Sequence, residues 1–238
     1  MEIKGTTKIK NGLLKLLGIA LFTQAVTSLV GGSIFLGPFD SNEITDTSMR
    51  AIADSIQVAN ISMLLQMITA VVIIMLGVAM YRAAGHKGKT IAVIALSMYI
   101  FEAVLLAVGQ VFVFGLVQAS QTYSISGDTN LLALGKVLLS CREFAGEMAM
   151  IPFGVGAILF YYLLMKAKVL PKWLALWGLI TVPLILVCVP LQTFGVAIPF
   201  ALFVPYVPFE FFTGVYILIK YRNKKMKNKG IVASCSID

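Results

Sequence analysis

Charged residues are missing from long blocks of this chain, and those blocks define its elements. Residues 16–39, 55–81, 91–101 continuing through 103–127, 148–165 and 173–209 carry few or no charges. A membrane span needs ~20 apolar residues, at ~1.5 Å rise each, to cross ~30 Å of hydrocarbon. The block 173–209 would reach ~56 Å as one helix, so it divides into two spans in the Pro190–Pro199 region. Six helices follow, at about 13–36, 55–81, 91–117, 145–165, 173–193 and 199–220. The expected fold is an all-α, polytopic six-transmembrane-helix bundle. Residues 1–222 form its single domain and 223–238 a flexible, basic cytoplasmic tail.

The polar breaks add detail. Residues 40–54 read as an acidic outer loop, and 118–130 as a Ser/Thr/Gln-rich outer connection. Residues 131–144 read as a segment at or beyond the outer interface. In the sixth helix, Pro205 and Pro208 each lack an N–H and free the carbonyls of Ala201 and Val204. Bare carbonyls are not tolerated in lipid, so a kinked or discontinuous outer half facing the bundle interior is expected. Ser28 and Gly32 in the first helix form a small-xxx-small pair that favours close packing.

Composition turns the pattern into a class. Of 238 residues, 59% are hydrophobic and 13% charged, about half the ~25% charged usual in soluble domains. With mean hydropathy +0.92, the chain reads as an integral membrane protein. Net charge is +8, and its placement orients the spans. Sixteen of the nineteen basic residues fall on one side. Lys4, Lys8, Lys10 and Lys15 precede the first helix; Arg82, Lys87 and Lys89 follow the second; Lys166, Lys168 and Lys172 follow the fourth. Lys220, Arg222, Lys224, Lys225, Lys227 and Lys229 close the chain. Arg50 stands opposite with Asp40, Glu43, Asp46, Asp54 and Asp128. By the positive-inside rule both termini are cytoplasmic, N-in/C-in, with the basic side against anionic lipid headgroups. No soluble domain carries the charge, which argues against nucleic-acid binding. Oligomeric state is not legible.

The cysteines, Cys141, Cys188 and Cys235, form no framework, although Cys141 and Cys188 both fall toward the outer side, where a disulfide is an open alternative. Cys235-Ser-Ile-Asp238 is a poor prenylation box. The basic N-terminus is followed by no A-x-A-like cleavage site, so the first helix reads as retained.

Two acids have no topological task. Counted from Thr90 and Lys220, Glu102 and Glu210 lie ~18 Å and ~15 Å deep, both close to the midplane. A carboxylate there costs about 2.5–3.5 kcal/mol on insertion scales and normally faces the bundle interior. Tyr99 shares a helix face with Glu102, and Tyr206 and Thr213 share one with Glu210. Two such acids placed together can share one proton, which makes Glu102, Glu210, Tyr99, Tyr206 and Thr213 a candidate ligand or proton site. The alternative is a set of paired polar residues that lock helix packing. On the fourth helix, Lys136, Ser140, Glu143 and Glu147 share a stripe that Tyr161 extends, with Arg142 adjacent. Arg142, Glu143 and Glu147 are a candidate outer polar cluster, either a vestibule above the acids or a wet interfacial turn. Ser55, Ser62, Gln66 and Thr69 on the second helix read as interhelical hydrogen bonding. Phe101-Glu102 and Phe209-Glu210 occupy equivalent places in two three-helix halves, as an inverted repeat would place them.

Other chemistries lack their residues. The single histidine, His86, falls in a cytoplasmic loop, so no His-based metal site is expected. There is no H-E-x-x-H and no G-x-S-x-G. Gly88-Lys89-Thr90 lacks the first glycine and the strand of a phosphate loop. No cofactor is expected.

Several stretches carry a resemblance: Tyr99-Ile-Phe-Glu102-Ala-Val-Leu-Leu-Ala, Arg142-Glu143-Phe144-Ala145, and Phe160-Tyr-Tyr-Leu-Leu followed by Leu170-Pro-Lys-Trp-Leu-Ala-Leu-Trp-Gly-Leu-Ile180. Pro208-Phe-Glu210 and Val215-Tyr-Ile-Leu-Ile-Lys220 complete it. Across roughly 12–222 the chain resembles the bacterial membrane family catalogued as domain of unknown function 4386. The resemblance implies a six-helix bundle in a bacterial cytoplasmic membrane, with acids at the positions of Glu102, Glu143 and Glu210. It implies no activity. Tyr99 stands where the family often has Arg, and Glu147 is an added acid. The leading functional expectation is binding or transport of a small cationic or amphiphilic molecule. A lipid-modifying intramembrane enzyme, and an accessory or sensing subunit with structural acids, are the alternatives.

Overall fold

The computed structural model describes residues 11–36, 44–202 and 204–234. Lys4, Lys8, Lys10, Asp40, Glu43 and the Cys235–Asp238 terminus lie outside the described residues, as do the side chains of the basic residues beyond 222. Among the described residues the chain is all-helical. Its helices are α1 (Asn11–Leu36), α2 (Asp46–Asp54), α3 (Ile56–Ala84), α4 (Lys89–Ser126), α5 (Asn130–Lys166), α6 (Lys172–Thr193) and α7 (Tyr206–Ser234).

Five of these, α1, α3, α4, α5 and α6, are long and apolar enough to cross a membrane. Large apolar side chains such as Val71, Phe101, Val111, Ile180 and Phe212 stand exposed on the bundle exterior, as lipid-facing positions do. The sixth expected span differs. The helix expected from residue 199 starts at Tyr206, after an irregular stretch holding one 3-10 turn at Phe200–Leu202. Pro205 precedes α7 and Pro208 falls in its first turn, where a missing N–H removes no intrahelical bond. The prolines therefore delay the helix rather than kink it. From Tyr206 to Ile219 its apolar part is ~20 Å long, short of ~30 Å of hydrocarbon. Residues 223–234, expected to be a flexible tail, continue α7.

Helices α4 and α5 are much longer than expected, at 38 and 37 residues. Each is ~55 Å long and overshoots a bilayer core by ~25 Å. The Ser/Thr/Gln stretch does not break α4, because its hydroxyls turn back on their own helix. Ser120, Thr122 and Ser126 donate to the carbonyls of Leu116, Gln118 and Thr122, at 2.8, 3.0 and 2.9 Å. Gly127, at φ +67°, ends α4 in a left-handed conformation that favours glycine.

The stretch expected as an acidic loop contains α2. Its start is a capping box: Ser48 N–H donates to Thr45 Oγ1 at 3.2 Å, and Thr45 N–H donates to Ser48 Oγ at 2.7 Å. Ile44 before the cap and Met49 after it belong to one buried cluster, the arrangement of a hydrophobic staple. Met49 and Ile52 seat α2 on Val113, Leu116 and Val117 of α4, forming a small second core. At its edge the Tyr123 hydroxyl donates to Asp46 Oδ1 at 2.7 Å, and Arg50 Nε donates to the same oxygen at 2.9 Å.

Within the main core, small residues allow close helix approach, as in membrane bundles generally. A Cβ at Gly18 would meet Leu218 at 2.8 Å, and one at Gly214 would meet the Phe22 backbone nitrogen at 3.2 Å. These two glycines draw α1 and α7 together. Between α1 and α3 a close approach falls at Gly31, whose Cβ would meet Leu65 and Gln66 at 3.2–3.3 Å. Ser62 Oγ donates to Gly31 O at 2.7 Å, and Thr69 Oγ1 donates to Thr27 Oγ1 at 2.7 Å. Ser62 and Thr69 of the α3 polar stripe thus make interhelical hydrogen bonds. Cys141 and Cys188 are both free thiols. Phe101 is 52% exposed while Phe209 is 0% exposed, so the two Phe-Glu pairs are not packed as repeats.

Candidate functional site

Glu102 and Glu210 both line a partly open cavity of about 210 Å³ between the helices. All six long helices contribute to its wall. Gln24 and Ser28 come from α1, Thr69 from α3, Glu102 from α4, Met150 and Phe153 from α5, Ile185 from α6, and Tyr206 and Glu210 from α7. The remaining lining is largely apolar. Polar groups converging in an apolar cavity between bundle helices is the usual form of a small-molecule site.

The two acids sit differently. Glu210 is half-buried and accepts hydrogen bonds at Oε1 from the Tyr206 hydroxyl at 2.5 Å and from Gln24 Nε2 at 3.4 Å. Glu102 is 2% exposed, and its Oε2 has no hydrogen-bond partner. Gln24 Oε1 is likewise buried without one. Orphaned buried acceptors are uncommon and cost about 1–3 kcal/mol each.

The other candidates separate. Tyr206 lines the cavity, whereas Tyr99 and Thr213 do not. Tyr99 is buried in the main core, its ring edge-on to Phe160 with centroids 5.3 Å apart. Thr213 is 0% exposed, and its hydroxyl has no partner. Ser28, from the small-residue pair of α1, lines the cavity. In the outer cluster, Arg142, Glu143 and Glu147 are all half-buried. Glu147 Oε2 accepts a 2.7 Å hydrogen bond from Thr193 Oγ1 of α6. The ion pair found among the described residues is instead Arg50–Asp46. Lys136 and Ser140, on the same stripe, are exposed. None of these residues lines the cavity.

Gln24 is the site residue that sequence reasoning missed. Its signal was a lone primary amide in an apolar span, which alone reads as packing. It reaches Glu210 because Gly18 and Gly214 let α1 and α7 approach.

Residues 171–178, Pro-Lys-Trp-Leu-Ala-Leu-Trp-Gly, hold the start of α7. Trp177 Nε1 donates to Pro205 O at 3.1 Å. A Cβ on Gly178 would collide with Phe209 Cζ and lie 2.9 Å from its Cε1 and 3.0 Å from Tyr161 Cδ2. Phe209 wedges edge-on against Tyr161, centroids 5.0 Å apart. Since Phe209 precedes Glu210, this segment sets where the second acid sits. The same residues carry the resemblance noted in the sequence, and the family model described as Domain of unknown function (DUF4386) matches residues 16–220.

The chain belongs to the DUF4386 family. The match spans every residue that lines the cavity, so the site lies wholly within the DUF4386 region. Neither curated proteins nor solved structures show significant similarity to the chain. Among the described residues, no group of three His, Cys, Asp or Glu side chains is placed to hold a metal ion.

Proposed function

We propose that this DUF4386 protein binds a small, amphiphilic cation at Glu102 and Glu210. The observation that carries the reading is that two carboxyls, from α4 and α7, line one predominantly apolar cavity. A carboxylate at membrane depth is expensive, and a cation between two of them offsets that expense by Coulomb attraction in a low-dielectric setting. The apolar remainder of the wall suits a hydrophobic body attached to the charge. The bundle is proposed to lie in a bacterial cytoplasmic membrane, with α7 and the irregular stretch before it completing a sixth crossing. Both termini then face the cytoplasm, an orientation supported by the one-sided distribution of Lys and Arg.

The test is calorimetric titration of the purified protein with phenethylamine at neutral pH. Saturable binding that weakens at least tenfold in both Glu102→Gln and Glu210→Gln, with each variant still monodisperse and helical, supports the reading. Absence of saturable binding, or unchanged affinity in both variants, overturns it. A reporter active only outside the cytoplasm, fused to the C-terminus, checks orientation and is expected to stay inactive.

A further inference from the structure

Two buried acceptors of the cavity lining have no donor, and that narrows the chemistry of what fits. Glu102 and Gln24 line it, and each bears a buried oxygen with no partner, Oε2 and Oε1 respectively. Donors already present are engaged elsewhere: Glu210 Oε1 takes both the Tyr206 hydroxyl and a Gln24 amide N–H, and the Thr69 hydroxyl donates to Thr27 Oγ1. The unmet demand therefore lies with Glu102 and with the Gln24 carbonyl, and a carboxyl at Glu210 shares the same space. A quaternary ammonium brings charge but no N–H. A guanidinium brings five donors in a rigid plane, whereas a primary ammonium carries three rotatable donors at one point.

Size gives a second bound. A cavity of about 210 Å³ exceeds the ~150 Å³ that admits benzene and falls below the ~300–1,000 Å³ of sites for drug-sized ligands. One ring or a short alkyl chain fills it. Phe153, Phe211, Ile73, Leu106 and Ile185 line the wall around that body. Phe153 and Tyr206 meet edge-to-face with centroids 5.3 Å apart, so these rings present a fixed surface.

We infer that the cavity selects a primary monoamine with a compact apolar body, the ammonium shared among Glu102, Glu210 and the Gln24 carbonyl. The inference rests on the cation-site reading and adds recognition by N–H donors. With one of the two acids protonated, carboxylate, carboxyl and ammonium sum to zero charge, the least costly state at membrane depth. Gln24 is then a specificity-determining residue, acting through its carbonyl.

The experiment compares three ligands of similar volume on the wild-type protein, so no variant need fold. Phenethylamine carries charge and N–H donors, phenyltrimethylammonium carries charge without donors, and 2-phenylethanol has neither charge nor N–H. The inference expects phenethylamine to bind at least tenfold more tightly than either of the others. Equal binding of phenyltrimethylammonium overturns selection by N–H donors and leaves the cation site standing. Equal binding of 2-phenylethanol, or no binding of any ligand, overturns both. In Gln24→Leu, phenethylamine is expected to weaken at least fivefold while phenyltrimethylammonium does not change. Parallel loss of both ligands would assign Gln24 to packing and overturn its specificity role.

Discussion

The two acids of the cavity should respond in opposite directions to the same substitution. Methionine approximates the length of glutamate, is unbranched and fills irregular space. In Glu102→Met it removes a carboxyl that is 2% exposed and carries an orphaned Oε2. Relief of one unpartnered buried acceptor is worth about 1–3 kcal/mol, so the free energy of unfolding should rise by roughly that amount. Glu210→Met removes the acceptor of the Tyr206 hydroxyl at 2.5 Å and of the Gln24 amide at 3.4 Å. Orphaning those donors should lower stability by about 1–3 kcal/mol. Amine binding is lost in both. The assay is reversible unfolding by SDS titration in mixed micelles, followed by circular dichroism. A gain in stability with loss of function at Glu102 is the signature of a residue kept for binding. A fall of more than 1 kcal/mol in Glu102→Met would show that Glu102 is a packing residue and refute the reasoning.

Gly178→Ala forces a methyl into the Phe209 ring, which is fully buried and braced by Tyr161. Overpacking of this kind costs about 1–3 kcal/mol. Because Phe209 adjoins Glu210, phenethylamine affinity should fall as well, and unchanged SDS unfolding would contradict the wedge. At the start of α2, the hydrogen bond from Tyr123 and then the one from Arg50 hold the Asp46 carboxyl below its ordinary value. A depressed folded-state pKa contributes stability above the ordinary aspartate range, lost as pH falls through the folded value. Carboxyl carbon-13 NMR should give Asp46 a midpoint under ~3.9, moving up in Tyr123→Phe. An unmoved midpoint would contradict the Tyr123 contact.

Legibility in the sequence followed how local each cause was. Uncharged blocks located α3 and α6 within a few residues, since lipid demands long apolar runs regardless of tertiary context. Glu102 and Glu210, singled out because neither had a topological task, line one cavity, since acids inside a small bundle have few other places to point. Face-sharing was a weaker guide. Tyr206, one turn before Glu210, lines the cavity, while Thr213, three residues after it, is turned into the core. The partnership of Gln24 with Glu210 depends on two glycines 196 residues apart, Gly18 and Gly214, and no local pattern announces it. Helix α2 was legible in retrospect from Ile44, Thr45, Ser48 and Met49, but its acidic surroundings read as loop. The end of α4 was obscured because Ser and Thr that favour turns also bond back within a helix.

The central claim is that Glu102 and Glu210 serve one ligand in one cavity. Difference infrared spectroscopy of the membrane-reconstituted protein, recorded with and without phenethylamine, reads both carboxyls at once. The account predicts two carboxyl bands that change along a single saturation curve, one missing in Glu102→Gln and the other in Glu210→Gln. Carboxyl bands that ignore the amine, or only one that responds, would contradict it.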